Sequence, residues 1–328
     1  MSRPVLLSVV VTTPETFESV RAVVGYLRAQ SIRERLELVL VCPDPERLAA
    51  PPDWLDDFGS CELVQADPLV SLPVARAAGV RAASAEFVAF VEDHAFPAEG
   101  WAEAVLGAHA AGHAGVGSVM VNLNPRSAVS WTDLFLSYGA FVEGSQAGVV
   151  PSIPHDNSSY QRSALLDLEP ALEALLGDQA ALQRELHDRG HTFYLEERAR
   201  LLHLNFSRRS SWLRLRYLGG RAYAGERAER EGWSRARRFV WAGLALPGVA
   251  SEIAPVVRDV RGNERHANVL ARMLPALAIG LVAGAAGKVV GYALGPGTAP
   301  QAVTALSFDR PARMRAAERS LAAPPRSS

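Results

Sequence analysis

Glu92, Asp93 and His94 follow directly on an unbroken apolar run, Phe87 to Val91, and are themselves followed by Pro97 and by Gly100-Trp101. Two carboxylates and an imidazole at the end of a core strand suit a divalent cation. Carboxylate oxygens favour Mg²⁺ or Mn²⁺, and a small set of protein ligands leaves positions open for phosphate oxygens. Such a cation neutralises the charge that develops on a diphosphate leaving group. The same three residues also serve a plain solvated turn that closes a strand. Further polar candidates are Arg76 in "PVARAAGVRAAS", Asp156 and Asn157 in "HDNSSYQRSALL", Asp178 in "GDQAALQREL", and His203, which ends the apolar "RLLH". Asn157, Ser158 or Ser159 would cap a helix equally well, and so would Asp178.

The elements that must carry these residues alternate. Residues 5–11, "VLLSVVV", are apolar and β-branched and read as a buried strand; "PETFESVRAVVGYLRAQ" follows with helical spacing of Phe17, Val20, Val23, Val24 and Leu27. Residues 36–42 and 61–67 read as the second and third strands, "PVARAAGVRAAS" as a helix and "EFVAFVE" as the fourth strand. Residues 116–122 form a further strand. "HDNSSYQRSALLDL" is expected to enter a helix. "DQAALQRELHDRGHTFYLEERARLLHLN" reads as a helix, a glycine turn and two strands, the second ending at His203. Alternating helices and fully apolar strands predict a parallel sheet covered on both faces, with ligands bound beyond the carboxyl ends of the strands. Glu92, Asp93 and His94 lie at such an end.

The bulk properties narrow the field. The chain has 328 residues, 48% of them hydrophobic and 21% charged, with a net charge of −1, so no global attraction to nucleic acid is expected. Cys42 and Cys61 give neither a metal spacing nor a disulfide framework, which fits a reduced, cytosolic setting. The N-terminal apolar run reads as a first strand rather than a signal peptide. After Asn205 the character changes. Residues 208–238 hold ten arginines against three glutamates, with Trp212, Tyr217, Tyr223 and Trp233 interleaved. Apolar stretches follow at 239–257 and 273–295, the latter with Lys288 as its single charge. Its 23 residues approach the length that spans ~30 Å of hydrocarbon. Its Gly and Ala content and Pro275 leave a membrane-lying hairpin or a buried core helix open. The Arg-aromatic belt suits an anionic cytoplasmic leaflet, at ~1 kcal/mol per basic residue near the surface. From about Asp309 the chain is expected to be disordered.

In order, "SVVVTTPETFESV", "PVARAAGVRAASAEFVAF" and "VEDHAFPAEGW" resemble segments of the inverting GT-A glycosyltransferases of glycosyltransferase family 2. In that family a Ser-Val-Val strand leads into a helix, and an Ala-Arg-Asn-x-Gly helix precedes a strand ending in a DXD-type motif with Pro and Gly-Trp behind it. Arg76 and Gly79 match that helix, Glu92-Asp93-His94 stands in the DXD place, and a bacterial subgroup reading Glu-Asp-His is the most similar. The resemblance covers roughly residues 5–206. It implies an α/β, Rossmann-like GT-A catalytic domain over 1–206, a helical, membrane-associating region over 207–308 and a tail over 309–328.

It also implies a divalent cation, Mg²⁺ or Mn²⁺, held by Asp93, His94 and His203. A nucleotide-diphosphate sugar would lie near Thr12, Asp44, Arg76, Glu92, Asp156 and Asn157. Two departures stand out. "VCPDPERL" replaces the usual Asp-Asp-Gly-Ser turn, and Gln179 occupies the usual place of the catalytic base, which leaves Asp178 beside it as the expected proton acceptor. The expected reaction moves a sugar to a hydroxyl of a carbohydrate or lipid-linked acceptor with inversion. The expected place is the cytoplasmic face of the cell membrane, with a homodimer through the apolar helices as the soluble option. A catalytically impaired homologue that binds a nucleotide sugar or a partner is the alternative, and a nucleotidyltransferase ranks last because no Gly-rich phosphate loop follows the first strand.

Overall fold

A computed structural model of the chain describes residues 4–14, 16–308 and 310–324. Nine strands form one mixed sheet: β1 (Leu7–Thr12), β2 (Leu36–Cys42), β3 (Ser60–Gln65), β4 (Phe87–Phe90), β5 (Ala95–Pro97), β6 (Gly115–Asn122), β7 (Gly148–Val150), β8 (Ser158–Gln161) and β9 (Phe193–His203). Their spatial order is β3-β2-β1-β4-β8-β6-β9-β5, with β7 paired to β9. β1 pairs parallel with β2 and β4, and β2 parallel with β3. Every residue of β2 is buried, as a strand covered on both faces requires. This is the α/β architecture that the alternation predicts.

The far half of the sheet departs from the all-parallel expectation. β8 runs antiparallel between β4 and β6, and β9 antiparallel to β5 and β7. The segment "HDNSSYQRSALL", expected to enter a helix, is instead a strand over Ser158–Gln161, and the helix begins only at Arg162. Its serines favour a cap locally, but open edges on β4 and β6 satisfy the backbone better, and Tyr160 is buried there. The two strands expected before His203 are one eleven-residue strand. Its polar centre, Glu196 to Arg198, reads as a break in sequence, but the ladder continues through it.

The helix Leu72–Ala82 lies against β1 and β2. A side chain at Gly79 would run into Val10 and Val41, so the close helix–sheet approach accounts for the glycine.

By contacts the chain divides into two compact units. The first takes the described residues within 1–121, 145–203 and 322–328; the second takes 122–144 and 204–321. The second unit therefore includes an internal segment, 122–144, that the expected boundary at residue 206 leaves in the catalytic domain. Asp133 from that segment is the reason: its Oδ1 accepts from Trp212 Nε1 at 3.0 Å and its Oδ2 from the Phe206 amide at 2.9 Å, and Arg310 lies 3.6 Å away. The second unit is helical, with an arginine-rich helix Arg209–Arg230 and an apolar helix Leu270–Leu294. These two pack along their length with backbones in contact. A side chain at Gly287 would meet the Tyr217 carbonyl, one at Gly291 the Arg221 carbonyl, and one at Gly220 the Gly284 carbonyl. The glycines of the apolar stretch are thus a packing face. The described residues from 310 onward, expected to be disordered, form two 3₁₀ turns, with Met314 and Glu318 buried.

Candidate metal and sugar-nucleotide site

β4 runs parallel to β1 and ends at the carboxyl edge of the sheet. A tight turn follows, closed by the Ala95 amide on the Glu92 carbonyl at 3.1 Å. It leads straight into β5, whose antiparallel register sets Ala95 opposite His203. Two segments more than a hundred residues apart therefore deliver His94 and His203 side by side; their rings meet edge to face at 4.9 Å.

Glu92, not Asp93, completes the cluster. One ligand atom each from Glu92, His94 and His203 can be chosen so that all lie within 4.8 Å of one another. Glu92 Oε1 is 3.6 Å from His94 Nε2, and Glu92 Oε2 is 3.4 Å from His203 Nε2. Asp93 was expected as a ligand, but its carboxylate turns instead to His94 Nδ1, at 2.5 Å. That contact places the proton on Nδ1 and leaves the Nε2 lone pair directed at the cluster, the usual arrangement behind a ligating histidine. The exchange is made in the turn that the Ala95 amide closes on the Glu92 carbonyl, where the Asp93 carboxylate is set against His94 Nδ1.

Asn157 fixes Glu92. Its Oδ1 accepts from the Glu92 amide at 3.0 Å and its Nδ2 donates to Glu92 Oε2 at 2.7 Å. Asn157 does this from a left-handed backbone, φ 64°, a conformation that Asn tolerates better than other side chains with a Cβ. Next to it, Asp156 is ion-paired with Arg76, which is buried and lies over the Phe90 ring. Thr12 ends β1. Asp44 follows β2 and caps a short helix, accepting from the Glu46 and Arg47 amides. Asp178 is the N-cap of the helix Gln179–Asp188, with its Oδ1 accepting from the Ala181 amide at 3.2 Å. Gln179 donates to the Ile153 carbonyl.

His155 was missed by sequence reasoning. Burial pushes its imidazole below the usual histidine range, with Asp156, Glu92 and Asp178 pulling it up and Arg76 pushing it down. Those charges place it among the predicted site residues, and its buried Nδ1 has no hydrogen-bond partner among the described residues. The one signal in the sequence was its place directly before Asp156. The donor set of the cluster, two imidazoles and one carboxylate, fits a first-row cation such as Mn²⁺ better than Mg²⁺, which prefers all-oxygen ligands.

By sheet order the chain has a mixed α/β fold, with this cluster at the carboxyl edge of its parallel strands. No protein-family model matches the chain. No curated protein matches it in sequence. Among solved structures it is similar to GalNAc-T7, determined with UDP, GalNAc and Mn²⁺, at 13% identity and a TM-score of 0.48, over 61% of this chain and 43% of that one. It is also similar to residues 1–349 of S. aureus TarS, at 14% identity and a TM-score of 0.44, over 90% of this chain and 92% of that one. Against a longer TarS structure, also at 14% identity and a TM-score of 0.44, the match covers 87% of this chain and 54% of that one.

Proposed function

We propose that the chain is a metal-assisted, inverting glycosyltransferase of family 2 type that works at the cytoplasmic face of a membrane. The observation that carries the reading is the convergence of Glu92, His94 and His203 at the carboxyl end of β4. Those three residues would hold Mn²⁺, with Asp93 orienting His94 and Asn157 orienting Glu92. The bound cation supplies Lewis-acid stabilisation to the departing diphosphate. Arg76, held by Asp156, adds fixed positive charge behind the site. Asp178 accepts the proton of the acceptor hydroxyl as its oxygen bonds to the anomeric carbon and the bond to the diphosphate breaks. A single displacement inverts the configuration, and positioning with electrostatic stabilisation does most of the work.

The apolar helix supports lying on the membrane over crossing it. It is long and apolar enough to span. Yet its glycine face is joined along its length to a helix that carries Arg214, Arg216, Arg221, Arg227 and Arg230, and a crossing would draw those charges into hydrocarbon at a cost of several kcal/mol. Phe239, Val240, Leu244 and Leu246 are exposed on and just beyond a neighbouring helix, and Ile279, Val282 and Leu294 on the apolar one, as an interfacial attachment needs.

The test is incubation of the full chain with UDP-, GDP- and TDP-sugars, Mn²⁺ and lipid or carbohydrate acceptors. Mass spectrometry should find a released nucleoside diphosphate with one donor, and that release should disappear in His203→Ala. Failure of every sugar nucleotide both to turn over and to bind would sink the reading. One observation favours the alternative, a sugar-nucleotide binding module: Asp178 is already engaged as a helix cap. Donor binding without turnover would assign that role.

A further inference from the structure

The second unit contains a cleft of about 520 Å³. Arg209, Arg272 and Arg315 line it, together with Trp212, Leu213 and Ile279. Three separate segments contribute the guanidiniums: the start of the arginine-rich helix, the start of the apolar helix and the segment between the two terminal 3₁₀ turns. No acidic residue lines the cleft, and among the described residues none of these three arginines forms an ion pair. The buried carboxylate Asp133 in the same unit is spent on Trp212, the Phe206 amide and Arg310. Arg272 is steadied by donating to the Arg126 carbonyl. The opposite character of the remaining wall is as marked. The indole of Trp212 is buried, with its N–H on Asp133, so it presents carbon to its surroundings. Pro275, Ile279 and Val282 share one face of the apolar helix at i, i+4 and i+7, and Ile279 and Val282 are exposed.

We propose that this cleft binds an anionic membrane phospholipid, with its phosphate on Arg209, Arg272 and Arg315 and the first carbons of its chains along Trp212, Leu213 and Ile279. Cationic and apolar walls in one cleft match a ligand that is both anionic and apolar. A free phosphate would leave the apolar wall wet, and a neutral chain would use none of the charge that the three guanidiniums offer. The volume is in the range of small-ligand sites and holds a headgroup with its proximal carbons, not a whole lipid, so the chains run outward along the exposed face of the apolar helix. The bilayer is preferred to a lipid-linked acceptor as the source because that face is itself exposed and apolar. The proposal rests on the membrane reading above for the source of the lipid, and on nothing in the glycosyl-transfer chemistry.

The test is calorimetric titration of the full chain, with no sugar nucleotide or metal present, using dihexanoyl phosphatidic acid below its micelle concentration. Saturable binding of a single equivalent is expected, with dihexanoyl phosphatidylcholine and inorganic phosphate each far weaker. Arg272→Gln and Arg315→Gln should each weaken binding roughly tenfold, the loss expected for one hydrogen bond to a charged group. Ile279→Glu should abolish it; this position is exposed, so the variant folds. Equal binding of the phosphatidylcholine probe, or unchanged binding in Ile279→Glu, overturns the proposal. So does binding of farnesyl phosphate with none of the phosphatidic acid, which would assign the cleft to a lipid-linked substrate. A concentration-dependent dimer that Ile279→Glu dissociates, with no probe binding, overturns it in favour of a second copy. Absence of probe binding to the unaltered chain, while that chain still floats with vesicles, overturns the cleft proposal alone and leaves the membrane reading standing.

Discussion

At the scale of single residues, the site depends on which atoms are held still. Asp93 is adjacent to two ligand candidates and yet acts through His94 Nδ1. Replacing it with Asn removes the charge that sets the imidazole tautomer, and Mn²⁺ affinity should fall about 10- to 100-fold, the usual cost of losing a partner behind a ligand. His203→Ala removes a ligand outright and should fall further. Titration of Mn²⁺ alone, followed by paramagnetic resonance, measures both, and equal affinity in the His203 variant would remove this residue from the site. Asn157→Ala tests the clamp on Glu92 by the same readout, with a similar loss expected. Asp178→Asn is informative because Asn caps a helix about as well as Asp. Stability should be unchanged while turnover disappears and donor binding remains. Wild-type turnover in that variant would place the proton acceptor elsewhere.

At the scale of elements, the helix Trp101–Ala110 carries a histidine that works against acid. His109 is buried, stacked on Phe87, with Nδ1 donating to the His113 carbonyl at 2.8 Å and Nε2 facing Ser159 Oγ at 2.9 Å. Burial pushes it down to about 4 from 6.5. Between those two values the unfolded chain binds the proton and the folded chain does not. Stability contributed by the neutral ring is therefore full above pH 6.5, falls as pH drops towards 4, and levels off below. The whole effect is about 3 kcal/mol at ~1.36 kcal/mol per pH unit. His109→Gln should flatten that part of the stability–pH curve in urea denaturation. An unchanged slope would show that the ring is already protonated in the fold. In the second unit the glycine face of the apolar helix is the sensitive element. Gly287→Leu must push the helix off the Tyr217 carbonyl and should cost at least about 1–3 kcal/mol, as overpacking does, read from the same unfolding experiment.

At the scale of the whole molecule, the charge is uneven. The net charge is −1, yet residues 208–238 carry ten arginines and three glutamates. Electrostatic attraction to an anionic surface weakens with salt, because the Debye length shortens to about 3 Å at 1 M. Apolar insertion does not. The full chain should therefore float with anionic vesicles at low salt and largely persist at high salt. Phe239→Glu combined with Leu244→Glu, both on exposed positions, should make attachment salt-sensitive. Complete release of the unaltered chain by salt would reduce the attachment to charge alone.

Local pattern determined much of this protein. The apolar, β-branched runs of β1, β2 and β4 have one stable solution, a covered parallel sheet, and that solution puts Glu92 and its neighbours at the carboxyl edge. The amphipathic spacing of the first helix and the length of the apolar helix were equally legible, because each depends on residues close in sequence. What needed the tertiary structure were the pairings between distant segments. "SSYQ" became a strand because β4 and β6 each offered it an edge. His203 reached His94 through the register of β9 on β5. Glu92 stands in the cluster where Asp93 was expected because the turn sets the Asp93 carboxylate against His94 Nδ1, and Asn157, sixty-five residues on, locks Glu92 in place. His155 was marked in sequence only by its place before Asp156; Glu92, Asp178 and Arg76, the other charges that act on it, are brought to it by the fold. Residues 122–144 joined the helical unit through Asp133, a contact with a partner seventy-nine residues away. Composition and periodicity are sums over neighbours along the chain, so they register the elements; hydrogen bonds and ligand geometry are set across space, and there the fold decides.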